Sequence, residues 1–172
     1  VKSDGTLTFT DPDYGLKNNP TTKQKEGREQ AGNFVYHHNP QSGKTTALVR
    51  DFVQPNGLAF SPDEKILYIA DSGAPRHIRR FDVAADGSLS GGQVFCKIDV
   101  GGPDGIRVDQ AGRVWSSAGD GVQIFSPAGK LIGKILVHES PANLCFGGDD
   151  GKTLFITARK TLYSIKVAVS GA

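Results

Sequence analysis

Apolar residues in this chain come in short runs that alternate with polar ones or cluster as β-branched and aromatic residues. Thr6-Leu7-Thr8-Phe9, Ile66-Leu67-Tyr68-Ile69, Ile78-Arg79-Arg80-Phe81-Asp82-Val83 and Thr161-Leu162-Tyr163-Ser164-Ile165 all have this form. Alternation sends successive side chains to opposite faces of a strand, and no stretch carries the period of a helix. The pattern predicts an all-β chain. Six dipeptides punctuate it: Asp4-Gly5, Asn56-Gly57, Asp86-Gly87, Asp104-Gly105, Asp120-Gly121 and Asp150-Gly151. Each can supply the positive φ that tight hairpins require, and four of the six read as plain turns.

Residues 16–32 break the pattern. Lys17, Lys23, Lys25, Glu26, Arg28 and Glu29 leave no apolar stripe there, which predicts one long surface loop. Loops of that length are lids over a site or excursions without fixed structure.

Laid against itself, the chain repeats. Pro55-Asn56-Gly57-Leu58-Ala59-Phe60, Pro103-Asp104-Gly105-Ile106-Arg107-Val108 and Pro141-Ala142-Asn143-Leu144-Cys145-Phe146 share one template. It runs Pro, a small residue, Gly or Asn, then apolar, any, apolar. Each copy is followed by a turn and then by two strands, Ile66 to Ala70 and Ile78 to Val83, Val114 to Ala118 and Val122 to Ser126, Thr153 to Ala158 and Leu162 to Val167. A meander repeating every 40 to 50 residues or so, with four strands to the unit, marks a β-propeller blade. Ahead of the first copy, Thr6 to Thr10, Phe34 to His38 and Thr46 to Phe52 supply three strands, and the last unit ends after its third. About three and a half blades are predicted, fewer than the roughly four to eight with which propellers close.

Within the template, the position after Pro is Asn56, Asp104 and Ala142, and the next is Gly57, Gly105 and Asn143. The second column is what a left-handed backbone would select. The first is no backbone requirement, because Ala142 shows that the fold accepts a side chain without polar atoms. Equivalent positions on successive innermost strands bring Asn56 and Asp104 to one mouth of the central channel. Two hard oxygen donors converging there suit a divalent cation, Ca²⁺ or a relative, completed by other residues and water. The competing reading makes both of them turn residues.

Charge and composition narrow the partners. Lys and Arg number 20 against 18 Asp and Glu, a formal charge of +2, so no nucleic-acid partner is expected. No run approaches the roughly 18 apolar residues of a membrane helix and Val1 opens no signal segment, so no membrane partner is expected either. Cys96 and Cys145 lie in apolar stretches and are expected to be buried free thiols. With no Met in the chain, Val1 need not be a natural boundary.

Four segments now stand out in order along nearly the whole chain. They are Ser3 to Gly15 with its Asp11-Pro12-Asp13-Tyr14-Gly15 end, Pro55 to Asp63, Pro103-Asp104-Gly105-Ile106 with Gly112-Arg113-Val114-Trp115, and Asn143 to Gly148 with Leu154 to Ala158. Together they resemble the SMP-30/gluconolactonase/regucalcin-like lactonases. The resemblance implies a six-bladed propeller, of which this chain would be the C-terminal part with N-terminal blades absent. It implies a hydrolase that opens lactone rings with one divalent cation in the channel, calcium first, with zinc, magnesium or manganese as alternatives. Asn56 matches the family's asparagine ligand, and Asp104 the aspartate that binds metal and acts as general acid/base. The family's glutamate ligand and its substrate-contacting Arg and Asn have no counterpart in these residues, so low turnover is expected from them alone. The implied partners are a small-molecule lactone and whatever completes the ring, the N-terminal half or a second copy. A propeller used as a binding scaffold and a related metal-dependent esterase stay open.

Tyr14, where the loop begins, and Asp71-Ser72, after a strand, are candidate substrate contacts. His37 and His38 are neighbours in a strand and cannot share an ion. Arg76-His77-Ile78-Arg79-Arg80 reads as a solvated face and Trp115 as core. No Gly-x-Ser-x-Gly or nucleotide-binding glycine pattern occurs, which argues against a serine hydrolase of the nucleophile-elbow type.

Overall fold

The alternating segments form strands, and turns fall at four of the six glycine dipeptides, Asp4-Gly5, Asp86-Gly87, Asp120-Gly121 and Asp150-Gly151. The computed structural model describes residues 1–22 and 25–172; Lys23, one of the loop charges, and Gln24 lie outside the described residues. The strands are β1 (Leu7–Asp11), β2 (Phe34–Asn39), β3 (Lys44–Val49), β4 (Pro55–Phe60), β5 (Ile66–Asp71), β6 (His77–Val83) and β7 (Leu89–Lys97). Then follow β8 (Ile106–Val108), β9 (Val114–Ala118), β10 (Gly121–Phe125), β11 (Leu131–Leu136), β12 (Pro141–Gly147), β13 (Thr153–Ala158) and β14 (Thr161–Lys166). They make four antiparallel meanders, β1 to β3, β4 to β7, β8 to β11 and β12 to β14. This is an arc of propeller blades, two of four strands between two of three. The innermost strands β1, β4, β8 and β12 touch in succession around the axis. No helix among the described residues is long and apolar enough to cross a membrane.

Three apolar seams hold the blades face to face. Val35, Val49 and Phe52 meet Leu67, Ile69 and Phe81 in the first seam. Tyr68, Ile78 and Cys96 meet Ile106, Val114 and Phe125 in the second, and Trp115 and Val122 meet Leu144, Leu154 and Ile156 in the third. Each fully buried side chain of this size contributes about 1.5–3 kcal/mol, so the seams outweigh any single contact along the ladders. Trp115 is core, as expected.

The outward faces of the two terminal sheets stay open. Phe9 and Tyr36 stack on the first with ring centroids 5.3 Å apart, and Leu162 is exposed on the last. Cys145 belongs to that last face, which corrects the expectation of a buried thiol. Its neighbours Leu144 and Phe146 point into the third seam, so strand alternation turns Cys145 outward. Cys96 is buried, and removal from water pushes its thiol up to about 12.

Two further expectations change. Gly5, Gly87, Gly121 and Gly151 have φ of 82°, 80°, 142° and 65°, as turns demand, whereas Gly57, Gly105 and Asn143 are not left-handed. The reason for the two template glycines is close approach: a Cβ on Gly57 would lie 2.1 Å from the Asp104 carbonyl oxygen, and one on Gly105 2.3 Å from Asn143 Oδ1. The basic run is not simply solvated either. The Arg79 guanidinium lies 4.7 Å from the Phe52 ring centroid and 5.0 Å from that of Phe81, and pairs with Asp51 at 2.8 Å.

Candidate functional site

The template copies enter the innermost strands at one end of the arc, and local irregularity frees their side chains. The β4–β5 register slips between Pro55 and Leu58, and β8 begins only at Ile106, after Asp104-Gly105. A bulge re-aims side chains that a regular ladder would fix. Copies on adjacent blades are tied directly: Thr10 Oγ1 donates to the Asn56 carbonyl at 2.9 Å. The Gly57 N–H donates to the Asp104 carbonyl at 3.0 Å, and the Gly105 N–H to the Ala142 carbonyl at 2.8 Å.

Asn56 and Asp104 are thereby brought together. They line an open cleft of about 500 Å³ with Tyr14, Ser72, Gly102, Pro103, Ser140 and Pro141. The Asn56 side chain lies beside the Asp104 carboxylate, and its Nδ2 donates to Ser72 Oγ at 3.0 Å. Ser72 Oγ in turn donates to the Pro103 carbonyl. Burial pushes the Asp104 carboxyl above the usual carboxylate range, and the neighbouring Asn56 amide partly offsets this. No basic side chain lines the cleft among the described residues. A half-buried carboxylate without a counter-charge, beside an amide oxygen, fits two positions of an oxygen-donor cation site. No cluster of three or more His, Cys, Asp or Glu stands together among the described residues.

Two of the three candidate substrate contacts reach the cleft. Tyr14 sits in a 3-10 turn over Asp13–Gly15 and is 55 % exposed at the lip. Asp13 anchors that turn by accepting from Gln54 Nε2 at 2.7 Å and by pairing with Arg28 in the connection between β1 and β2. Ser72 also lines the cleft, but Asp71 does not. The Asp71 carboxylate is buried and accepts from the backbone N–H groups of Val53, Gln54 and Gly73, which makes it a loop anchor. Gly102 and Ser140 were not apparent from the sequence. Their signal is positional, since each stands immediately before the Pro that opens a template copy.

The family model described as the SMP-30/Gluconolactonase/LRE-like region matches residues 1–160. The chain belongs to this family. A gluconolactonase from Zymomonas mobilis is 32 % identical over 97 % of this chain and 49 % of its own length. A 6-deoxy-6-sulfogluconolactonase from Pseudomonas putida is 35 % identical over 68 % of this chain and 42 % of its own. Among solved structures, a gluconolactonase from Xanthomonas campestris superimposes with a TM-score of 0.85 at 34 % identity, covering 100 % of this chain and 55 % of that one. The calcium-binding protein regucalcin from Agrobacterium tumefaciens shares the fold, with a TM-score of 0.77 at 24 % identity over 98 % of this chain and 60 % of that one. The chain spans about half the length of the curated relatives it matches.

Proposed function

We propose that the full-length protein opens lactone rings at this cleft, as its relatives named gluconolactonase do, with one divalent cation, calcium first, held in part by Asn56 and Asp104. The observation that carries this reading is the Asp104 carboxylate, half-buried beside a neutral amide and without a cationic partner. When bound, the cation supplies Lewis-acid polarisation of the lactone carbonyl. Asp104 takes a proton from the attacking water as oxygen adds to the carbonyl carbon. It then returns a proton to the ring oxygen as the carbon–oxygen bond breaks, giving the hydroxy acid. Asn56 contributes an oxygen without adding charge, and Tyr14 contacts the substrate from the lip.

The test is lactone hydrolysis by the full-length protein after chelation and reloading with Ca²⁺, Zn²⁺, Mg²⁺ or Mn²⁺. Activity should vanish on chelation and return with at least one ion. Asp104→Asn should lower kcat/KM by about 10²- to 10⁴-fold, the range for losing a general acid/base. Unaltered turnover in that variant would overturn the assignment.

A further inference from the structure

We propose that Ser72 is a positioning residue that fixes which end of the Asn56 amide faces the cleft. The inference rests on the cation reading above, and it follows from counting protons in a chain of hydrogen bonds. The Pro103 carbonyl can only accept, so the single Ser72 hydroxyl proton is committed to it. Ser72 Oγ can then only accept from Asn56, and the contact at 3.0 Å must be an N–H donation.

The Nδ2 end of the amide is thus turned to Ser72, and Asn56 Oδ1 receives no hydrogen bond from any described residue. The oxygen is left as a free acceptor on a residue that lines the cleft. Without the Ser72 hydroxyl no hydrogen bond among the described residues would select the amide's orientation, and it could turn its NH₂ group toward the cleft. An NH₂ group cannot ligate a cation. Partners of this kind, one bond removed from the ligand, typically change metal affinity by about 10- to 100-fold. Ser72 comes from the end of β5 and Pro103 from the entry to β8, so the chain of bonds also ties the amide to two adjacent blades.

The experiment uses the full-length protein with Ser72→Ala and Ser72→Thr. It measures Ca²⁺ and Mn²⁺ affinity by calorimetry and the exchange protection of the Asn56 side-chain NH₂ by NMR in metal-free protein. Ser72→Ala should weaken cation binding about 10- to 100-fold and expose the NH₂ to exchange, with a Tm close to that of the parent. Ser72→Thr, which keeps the hydroxyl, should restore both. Two outcomes overturn the proposal: parent-like affinity in Ser72→Ala, or weakened affinity with the NH₂ still protected, which would make Ser72 a direct ligand. If the parent binds neither ion, the cation reading fails. NH₂ protection then still decides whether Ser72 orients Asn56, and equal protection in parent and Ser72→Ala would overturn that as well.

Discussion

Asp104 and Asp109 stand at the two ends of one innermost strand, β8, and are held in opposite ways. Asp109 is fully buried, and its oxygens accept from the N–H groups of Ala111 and Arg113, from Arg113 Nε at 2.7 Å and from Trp115 Nε1 at 2.8 Å. Every lone pair that counts has a donor, one of them charged. Asp104 is half-buried beside the neutral Asn56 amide, with no cationic partner in the cleft. The first carboxylate closes a turn and caps a tryptophan, and its chemistry is finished when the chain folds. The second leaves acceptor capacity facing a cleft, which is what a ligand needs. Asp71, saturated by three backbone N–H groups, belongs with Asp109.

The largest effect that would sharpen this contrast is on stability. Asp109→Ala strands the Arg113 and Trp115 donors in the third blade and should cost about 3–5 kcal/mol, read from denaturant unfolding. A loss below about 1 kcal/mol would erase the distinction. Gly57→Ala acts between the two classes, because its Cβ would meet the rigid Asp104 carbonyl at 2.1 Å. Crowding of that kind should cost about 1–3 kcal/mol and shift the site as well, seen as a lower Tm together with weaker cation binding. The smallest effect belongs to Asp104→Asn, whose stability should change by less than about 1 kcal/mol, since no ion pair and no backbone N–H depends on its carboxylate. A drop comparable to that of Asp109→Ala would show that Asp104 is structural.

Much of this was legible in the sequence because the repeat made it so. Alternation and turn dipeptides were enough for the blades, and equivalence of template positions was enough to bring Asn56 and Asp104 to one mouth. What alignment of the chain with itself could not show is what lies across a seam. Gly57 and Gly105 look like turn glycines until the neighbouring blade is seen pressing on them. Cys145 looks buried until its sheet is seen to have one open face. Asp71 and Ser72 are adjacent and equally polar, yet one is taken up by a loop and the other by the site. That division depends on hydrogen-bond partners brought in from 17 to 31 positions away.

The bond from the Gly57 N–H to the Asp104 carbonyl has a chemical meaning beyond joining two blades. Asparagine followed by glycine ages by attack of the glycine nitrogen on the side-chain carbonyl, closing a five-membered imide that opens to aspartate or isoaspartate. That nitrogen is engaged here, its N–H held by the Asp104 carbonyl at 3.0 Å. The contact that assembles the cleft therefore also sets its shelf life, keeping a neutral amide beside Asp104 where ageing would place a second negative charge.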